Sequence, residues 1–203
     1  MNFNDAKGSA ELVLLANQVP LLVGETGIGK TSLARKIAES QGWDLVVIDG
    51  NLLKEGEIGG LPTVQQVTKT DEHGLAKQES ITVYAVHHTL HAMDQAAAQG
   101  KTVLLFIDEI NRCEHSVQQE LMNLILNREI NGYRLPNSVR IMAAMNPENE
   151  FEYQTVDMDS AQKNRFVWLY MEADYMQWLD WAMEAGMEPK LIEFLSTYPE
   201  YLY

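Results

Sequence analysis

A chain of 203 residues with 46% hydrophobic content can fill the core of one full-sized domain, or of one domain and part of a second, so disorder is not the reading. Its 29 acidic residues against 15 basic ones leave a formal charge of −14, which repels phosphate backbones and anionic lipid surfaces and argues against nucleic-acid or membrane work. No run of about eighteen apolar residues and no basic leader occurs, and the single Cys113 has no internal partner; a protein that stays in the reducing cytoplasm is expected.

In chain order, the periodicity predicts a helix over 9–18 with Leu12, Leu15 and Ala16 on its inner face. Val19-Pro20-Leu21-Leu22-Val23 is a short apolar run ending at Gly24 and reads as a buried strand. A helix over 30–40 buries Leu33 and Ile37 and stops at Gly42. Leu45 to Ile48 and Val103 to Ile107 are the second and third strands. Between them, 63–84 alternates polar and β-branched residues around Asp71-Glu72-His73-Gly74, which predicts a hairpin with that tetrapeptide at its tip; a helix follows from about Ala85 to Gln99.

Ser116 with Gln119 predicts a capping box for a helix ending near Asn127, and Asn131-Gly132 predicts a tight turn. Val139 to Ala144 and Phe166 to Met171 complete five strands interleaved with helices, the pattern of an α/β domain around a parallel sheet over 1–172. From Glu172 the pattern is purely helical. Met176, Leu179 and Met183 share a face, Gly186 breaks the run, and Pro189 opens a helix carrying Ile192 and Leu195. The segment 173–203 therefore reads as the first helices of a second, helical domain.

Two motifs carry chemistry. Gly24-Glu25-Thr26-Gly27-Ile28-Gly29-Lys30-Thr31, continued by Ser32, meets every requirement of the phosphate loop, with a strand before it and a helix opening at Lys30. The glycines let backbone N–H groups converge on phosphate oxygens at a helix N-terminus, Lys30 reaches the β- and γ-phosphates, and the Thr31 hydroxyl can ligate Mg²⁺. Leu104-Leu105-Phe106-Ile107 then delivers Asp108 and Glu109 at the C-terminal end of a strand, where open α/β sheets bind ligands. Asp108 suits the Mg²⁺ shell and Glu109 the general base that polarises the attacking water.

Other residues leave their roles open. Asn146 could orient that water, or simply form a turn before Pro147. Arg165 could neutralise γ-phosphate charge in a neighbouring subunit, or be a surface arginine ending a helix. His87, His88 and His91 lack the further ligands zinc requires and read as a polar helix face. Trp178 and Trp181 read as packing, and Cys113 as a small buried residue.

The phosphate loop, Asp108-Glu109-Ile110-Asn111-Arg112, Met145-Asn146-Pro147 and Asn164-Arg165-Phe166 resemble, in order and spacing, the motifs of AAA+ ATPases. The likeness is greatest to the MoxR-like and dynein-related branch, including its small bacterial and phage members. Gly56-Glu57-Ile58-Gly59-Gly60-Leu61-Pro62 resembles the opening of that branch's insert in the second helix, so that the insert hairpin spans about 56–84; Arg134-Leu135-Pro136 resembles its next hairpin, and Trp178, Trp181-Ala182 and Pro199-Glu200-Tyr201-Leu202 its first lid helices. The resemblance implies ATP as substrate, Mg²⁺ as cofactor, and a sheet order of 5-1-4-3-2. It also implies Asn146 as sensor 1, Arg165 as an arginine finger acting across a subunit boundary, and Arg112 as a second interface arginine. Members form rings, commonly hexamers, often work with a von Willebrand A domain partner, and remodel or activate a protein client. They carry a further sensor arginine in the lid. From Phe166 onward this chain has no Arg and only Lys190 as a cation, so the expectation is either that it stops before the lid is complete or that the protein lacks that sensor.

Competing functions are a nucleic-acid motor, with Lys69 and Lys77 lining a pore, and a nucleotide-binding switch with little turnover. The charge counts against the first, and the Asp108-Glu109 pair against the second.

Overall fold

The computed structural model describes residues 1–70, 76–147, 158 and 160–202. The strands are β1 (Val19–Val23), β2 (Asp44–Asp49), β3 (Pro62–Thr70), β4 (Ala76–Tyr84), β5 (Val103–Asp108), β6 (Glu129–Ile130), β7 (Tyr133–Arg134), β8 (Val139–Met145) and β9 (Phe166–Tyr170). The helices are α1 (Phe3–Leu15), α2 (Lys30–Gln41), α3 (His88–Ala98), α4 (His115–Asn127), α5 (Ser160–Lys163), α6 (Tyr175–Glu184) and α7 (Pro189–Thr197).

Five strands pair in parallel in the order β2-β5-β8-β1-β9, which is the expected 5-1-4-3-2 counted from the β9 edge. Parallel strands are covered on both faces, so the central ones must be apolar on both. Val103 to Ile107 are all buried, and in β8 every residue but Arg140 is. Alternation then sorts the side chains into two layers. Leu21, Leu105, Ile107 and Ile141 pack with α3 and α4 through Leu90, Met93, Val117 and Leu121. Leu22, Leu104, Phe106 and Met142 pack with α1 and α2 through Ala6, Ala10, Leu33 and Ile37.

Three helix readings need correction. The first helix begins at Phe3, with the Asn2 side chain accepting from the Asp5 N–H, and buries Ala6, Ala10 and Leu14. Leu12 and Leu15, expected inside, are 70% and 59% exposed. A stripe of small residues at i and i+4 lets the helix lie close to the sheet, and that contact outweighs the pull of the larger leucines. In α4 the N-cap is Glu114, with no side-chain cap bond, so Ser116 already lies inside the helix and forms no capping box; Gln119 meets His115 instead, at 3.0 Å. In α6 only Leu179 and Ala182 are buried, while Met176 and Met183 are 63% and 57% exposed and Trp181 is 42% exposed.

The insert forms its own antiparallel ribbon, paired from Pro62↔Tyr84 to Thr70↔Ala76, and its strands are largely exposed. The expected tip, Asp71 to Gly74, lies outside the described residues. The base of the ribbon is clasped to the domain. Gly59 N–H donates to Glu120 on α4 (3.3 Å), and Asn131 in the β6–β7 turn donates to the Gly59 carbonyl (2.8 Å). Ala85 N–H donates to the Leu61 carbonyl (3.0 Å), prolonging the ribbon, so α3 starts only at His88. At the C-terminus α6 and α7 pack on each other around Leu179, Ala182 and Leu195, and the Tyr175 hydroxyl donates to the Ser196 carbonyl (3.1 Å).

Candidate nucleotide site

At the C-terminal end of β1 the chain leaves the sheet at Gly24, whose N–H donates to the Met145 carbonyl (3.3 Å). A Cβ there would strike Ile28 and come within 2.9 Å of the Met171 carbonyl, so only glycine fits. Gly27 and Gly29 take φ of 88° and 97°, in the left-handed region, and the chain enters α2 with no side chain capping its N-terminus. A Cβ on Gly27 would meet nothing within 4 Å. With no side chain capping it, the N-terminus of α2 keeps its N–H donors and the positive end of its dipole available, and such a helix start after a glycine loop fits an anion.

Lys30 is buried, and its ammonium donates to the Gly24 carbonyl (2.6 Å), the Glu25 carbonyl (2.9 Å) and Asn146 Oδ1 (2.8 Å). Burial pulls its pKa below the usual lysine value; Asp108, Glu109 and Glu25 push the other way, and Arg112 acts with the burial. Every acceptor is a neutral oxygen. Exchanging one of them for a phosphate oxygen creates a charge-assisted bond, so the lysine also fits a phosphate ligand.

The Thr31 hydroxyl donates to Asp108 Oδ2 (2.7 Å), and the Glu109 N–H to Asp108 Oδ1 (3.0 Å). A hydroxyl and a carboxylate at that separation belong to the hard oxygen set that Mg²⁺ takes, with waters and phosphates completing the octahedron. Among the described residues no group of three or more His, Cys, Asp or Glu side chains could hold a metal by itself. His87 instead caps α3, its Nδ1 accepting from the Thr89 N–H (3.3 Å), and His91 meets Gln95 (3.1 Å).

Glu109 adopts φ of 52°, a conformation that costs a non-glycine residue about 1–2 kcal/mol, and such residues cluster at functional sites. Gly50 helps to hold it: its N–H donates to the Asp108 carbonyl (2.9 Å), and a Cβ there would lie 3.1 Å from the Glu109 carbonyl. The Glu109 carboxylate pairs with Arg112 at 3.0 Å. Arg112, expected at a subunit boundary, is thus engaged inside its own chain.

The β1–β8 register ends at Val23↔Met145, which sets Asn146 beside Gly24. Asn146 is 4% exposed. Turning its amide over would set the NH₂ against the Lys30 ammonium, so Oδ1 must face the lysine. Nδ2 is then left buried and meets no acceptor among the described residues. An orphaned donor beside a phosphate loop fits a water or a phosphate oxygen.

The structure therefore brings Gly24 to Thr31, Asp108, Glu109 and Asn146 to one end of the sheet, with Ser32 exposed on the first turn of α2. It does not bring Arg165 there. Arg165 is exposed just before Phe166, whose partner Val19 begins β1, so it sits at the opposite end of the sheet from the loop. Sequence reading also missed how Asn111 and Arg112 are used. A Glu and an Arg three apart could have suggested the ion pair, whereas no local signal points from Asn111 to Asn146, thirty-five positions on.

A sheet in this order, with this loop leading into α2 and two acids at the end of β5, defines a P-loop nucleotide-binding fold. The profile of the AAA domain (dynein-related subfamily) matches residues 20–166, and the chain belongs to that family. A search of curated proteins finds no significant match. Among solved structures, a candidate ATPase from Cytophaga hutchinsonii aligns with a TM-score of 0.57 and 18% identity, over 91% of this chain and 54% of its own. NtrX from Brucella abortus aligns with a TM-score of 0.54 and 17% identity, over 93% of this chain and 43% of its own. The P216G mutant of RuvB from Thermotoga maritima gives 0.52 and 19%, over 89% of this chain and 50% of its own. These likenesses concern the fold, and this chain spans about half the length of those structures. No helix among the described residues is long and apolar enough to cross a membrane.

Proposed function

We propose that the chain is a Mg²⁺-dependent ATPase of AAA+ type that works in a ring, commonly a hexamer, and remodels or activates a protein client in the manner of MoxR-like chaperones. The observation carrying the reading is the meeting of three distant segments: Lys30 bonds Asn146, and Thr31 bonds Asp108, at the mouth of the phosphate loop. In this reading the loop N–H groups and Lys30 bind and orient the β- and γ-phosphates. Thr31 and Asp108 hold Mg²⁺, which neutralises charge on the phosphates when bound. The free Asn146 amide orients the attacking water, and Glu109, once released from Arg112, takes its proton. Arg165 serves the site of a neighbouring subunit. Residues 1–172 act as the nucleotide-binding core and 173–203 as the start of a lid, with a von Willebrand A domain protein as a candidate partner.

The test compares the parental chain with Glu109→Gln. The variant should bind Mg-ATP within about threefold of parental while turnover falls by about 10²-fold or more. Undiminished hydrolysis overturns the assignment. A second reading, a nucleotide switch with little turnover, is favoured by the Glu109–Arg112 ion pair. Single-turnover hydrolysis followed over a range of protein concentrations separates the two, because a switch stays slow throughout.

A further inference from the structure

Asn111 is 2% exposed, just beyond the two acids, and has no place in the mechanism so far. The β5–β8 ladder pairs residues up to Ile107↔Ala143. There Asp108 and Glu109 leave the ladder, Glu109 turning left-handed. Two bonds re-join the segments: the Ile110 N–H donates to the Ala144 carbonyl (3.1 Å), and Asn111 Nδ2 donates to the Asn146 carbonyl (3.1 Å). Asn111 thus does with its side chain what the next backbone N–H of a strand would do. Its orientation is set by chemistry, since the reversed amide would press Oδ1 against the Asn146 oxygen.

Asn146 accepts from two side chains, Lys30 at its amide oxygen and Asn111 at its backbone carbonyl. When Lys30 turns to a phosphate, the Asn111 bond to the Asn146 carbonyl remains, beside the Gly24 N–H bond that fixes the preceding Met145 carbonyl. We infer that Asn111 is a positioning residue that fixes the Asn146 backbone, and so the aim of its free amide, in the nucleotide-loaded site. The inference rests on the ATPase reading above, and it assigns Asn111 no contact with substrate.

Asn111→Asp is the sharpest probe, because shape is kept and the donor becomes conditional. An ionised carboxylate repels the Asn146 carbonyl, whereas a protonated one donates to it again. Among the described residues, Lys30 from α2 bonds Asn146 at this corner, and the charges acting on that lysine are Asp108 and Glu109 at the end of β5, Glu25 of the loop and Arg112. They set where the recovery falls on the pH axis, while its direction is toward acid. Asn111→Asp should bind Mg-ATP within about threefold of parental yet turn over about 10- to 100-fold more slowly near neutral pH, as a misplaced positioning group does. Its rate relative to the parental chain at each pH should climb as the pH falls. Asn111→Leu should be slowed without that recovery, and should move the ¹⁵N side-chain amide signal of Asn146, identified by its loss in Asn146→Ala.

Parental turnover in both variants, or binding and turnover falling together with no pH trend, overturns the inference; the latter means Asn111 only packs. If Asn111→Leu does not fold, Asn111→Ser replaces it, and an unmoved Asn146 amide then counts against the inference. If the parental chain binds Mg-ATP and never turns it over, the ATPase reading fails on its own. The Asn146 amide signal, followed on titration with Mg-ADP, then decides Asn111 separately.

Discussion

Lys30 illustrates how much a single side chain is asked to do before any ligand arrives. Its ammonium stitches the phosphate loop to Asn146 through three neutral oxygens, in a buried setting that favours the uncharged amine. Such an ion gains by meeting an anion. Lys30→Ala should therefore weaken Mg-nucleotide binding by about tenfold or more in calorimetry, the worth of one charge-assisted bond; unchanged affinity would remove the loop from the site. Cys113 shows the opposite use of burial. Its thiol is 3% exposed, donates to the Ile110 carbonyl (3.0 Å) and is pushed up to about 11 by desolvation. At pH 8 it stays protonated, so alkylation of the folded chain should be at least about tenfold slower than that of a free thiol, which mass spectrometry can follow. Fast labelling would mean that this turn opens readily.

Elements are placed by which of their faces the sheet accepts. On α1 the accepted face is Ala6, Ala10 and Leu14, and the larger residues beside it remain in water. Leu14→Ala should cost about 2–5 kcal/mol in a urea melt, because it opens a cavity in a packed layer. Leu12→Ala should stay within about 0.5 kcal/mol, and a reversal of that order would mean the helix sits on its other face. The insert ribbon is an element of another kind, clasped at its base and exposed along its length. Gly60, with φ of 80°, lies so near the Ala85 carbonyl that a Cβ would collide with it. Gly60→Ala should accordingly loosen the ribbon, read as faster amide exchange in β3 and β4, while leaving nucleotide affinity within about threefold.

At the scale of the whole molecule the question is what completes the site. Arg165 precedes the first residue of β9, and the phosphate loop lies past its far end. Five residues of strand separate them by about 16 Å, more than an arginine can span. Any contact between Arg165 and a γ-phosphate must then come from another copy of the chain. If it acts so, activity per subunit should rise with protein concentration, and Arg165→Ala should bind ATP almost normally yet lose most turnover. If the chain assembles into rings as proposed, mixing Arg165→Ala with Glu109→Gln should create some interfaces with both intact groups, so hydrolysis should partly return. Two inactive variants that stay inactive in rings shown by native mass spectrometry to be mixed would end the trans role.

Much of this was legible in the residues. The loop from Gly24 to Thr31 and the acids after β5 are contiguous motifs whose chemistry depends on local backbone form, and the five apolar strands follow from their length and spacing. The ribbon follows from its alternation around a turn sequence, and its exposure from its polar composition. What was not legible depends on partners distant in the chain. The inner face of α1 was misread because small residues carry little hydrophobic signal, and only the approach of the sheet shows that closeness outweighs size. The capping box failed because Glu114, with no side-chain cap bond, starts the helix two residues early. The residues alone left Asn146 open between turn and function and the family resemblance implied a sensor, but its contact with Lys30 came only with β8 laid beside β1. Local motifs determined the chemistry available to this protein; the parallel sheet, which pairs strands that no short-range rule connects, decided which of those groups meet.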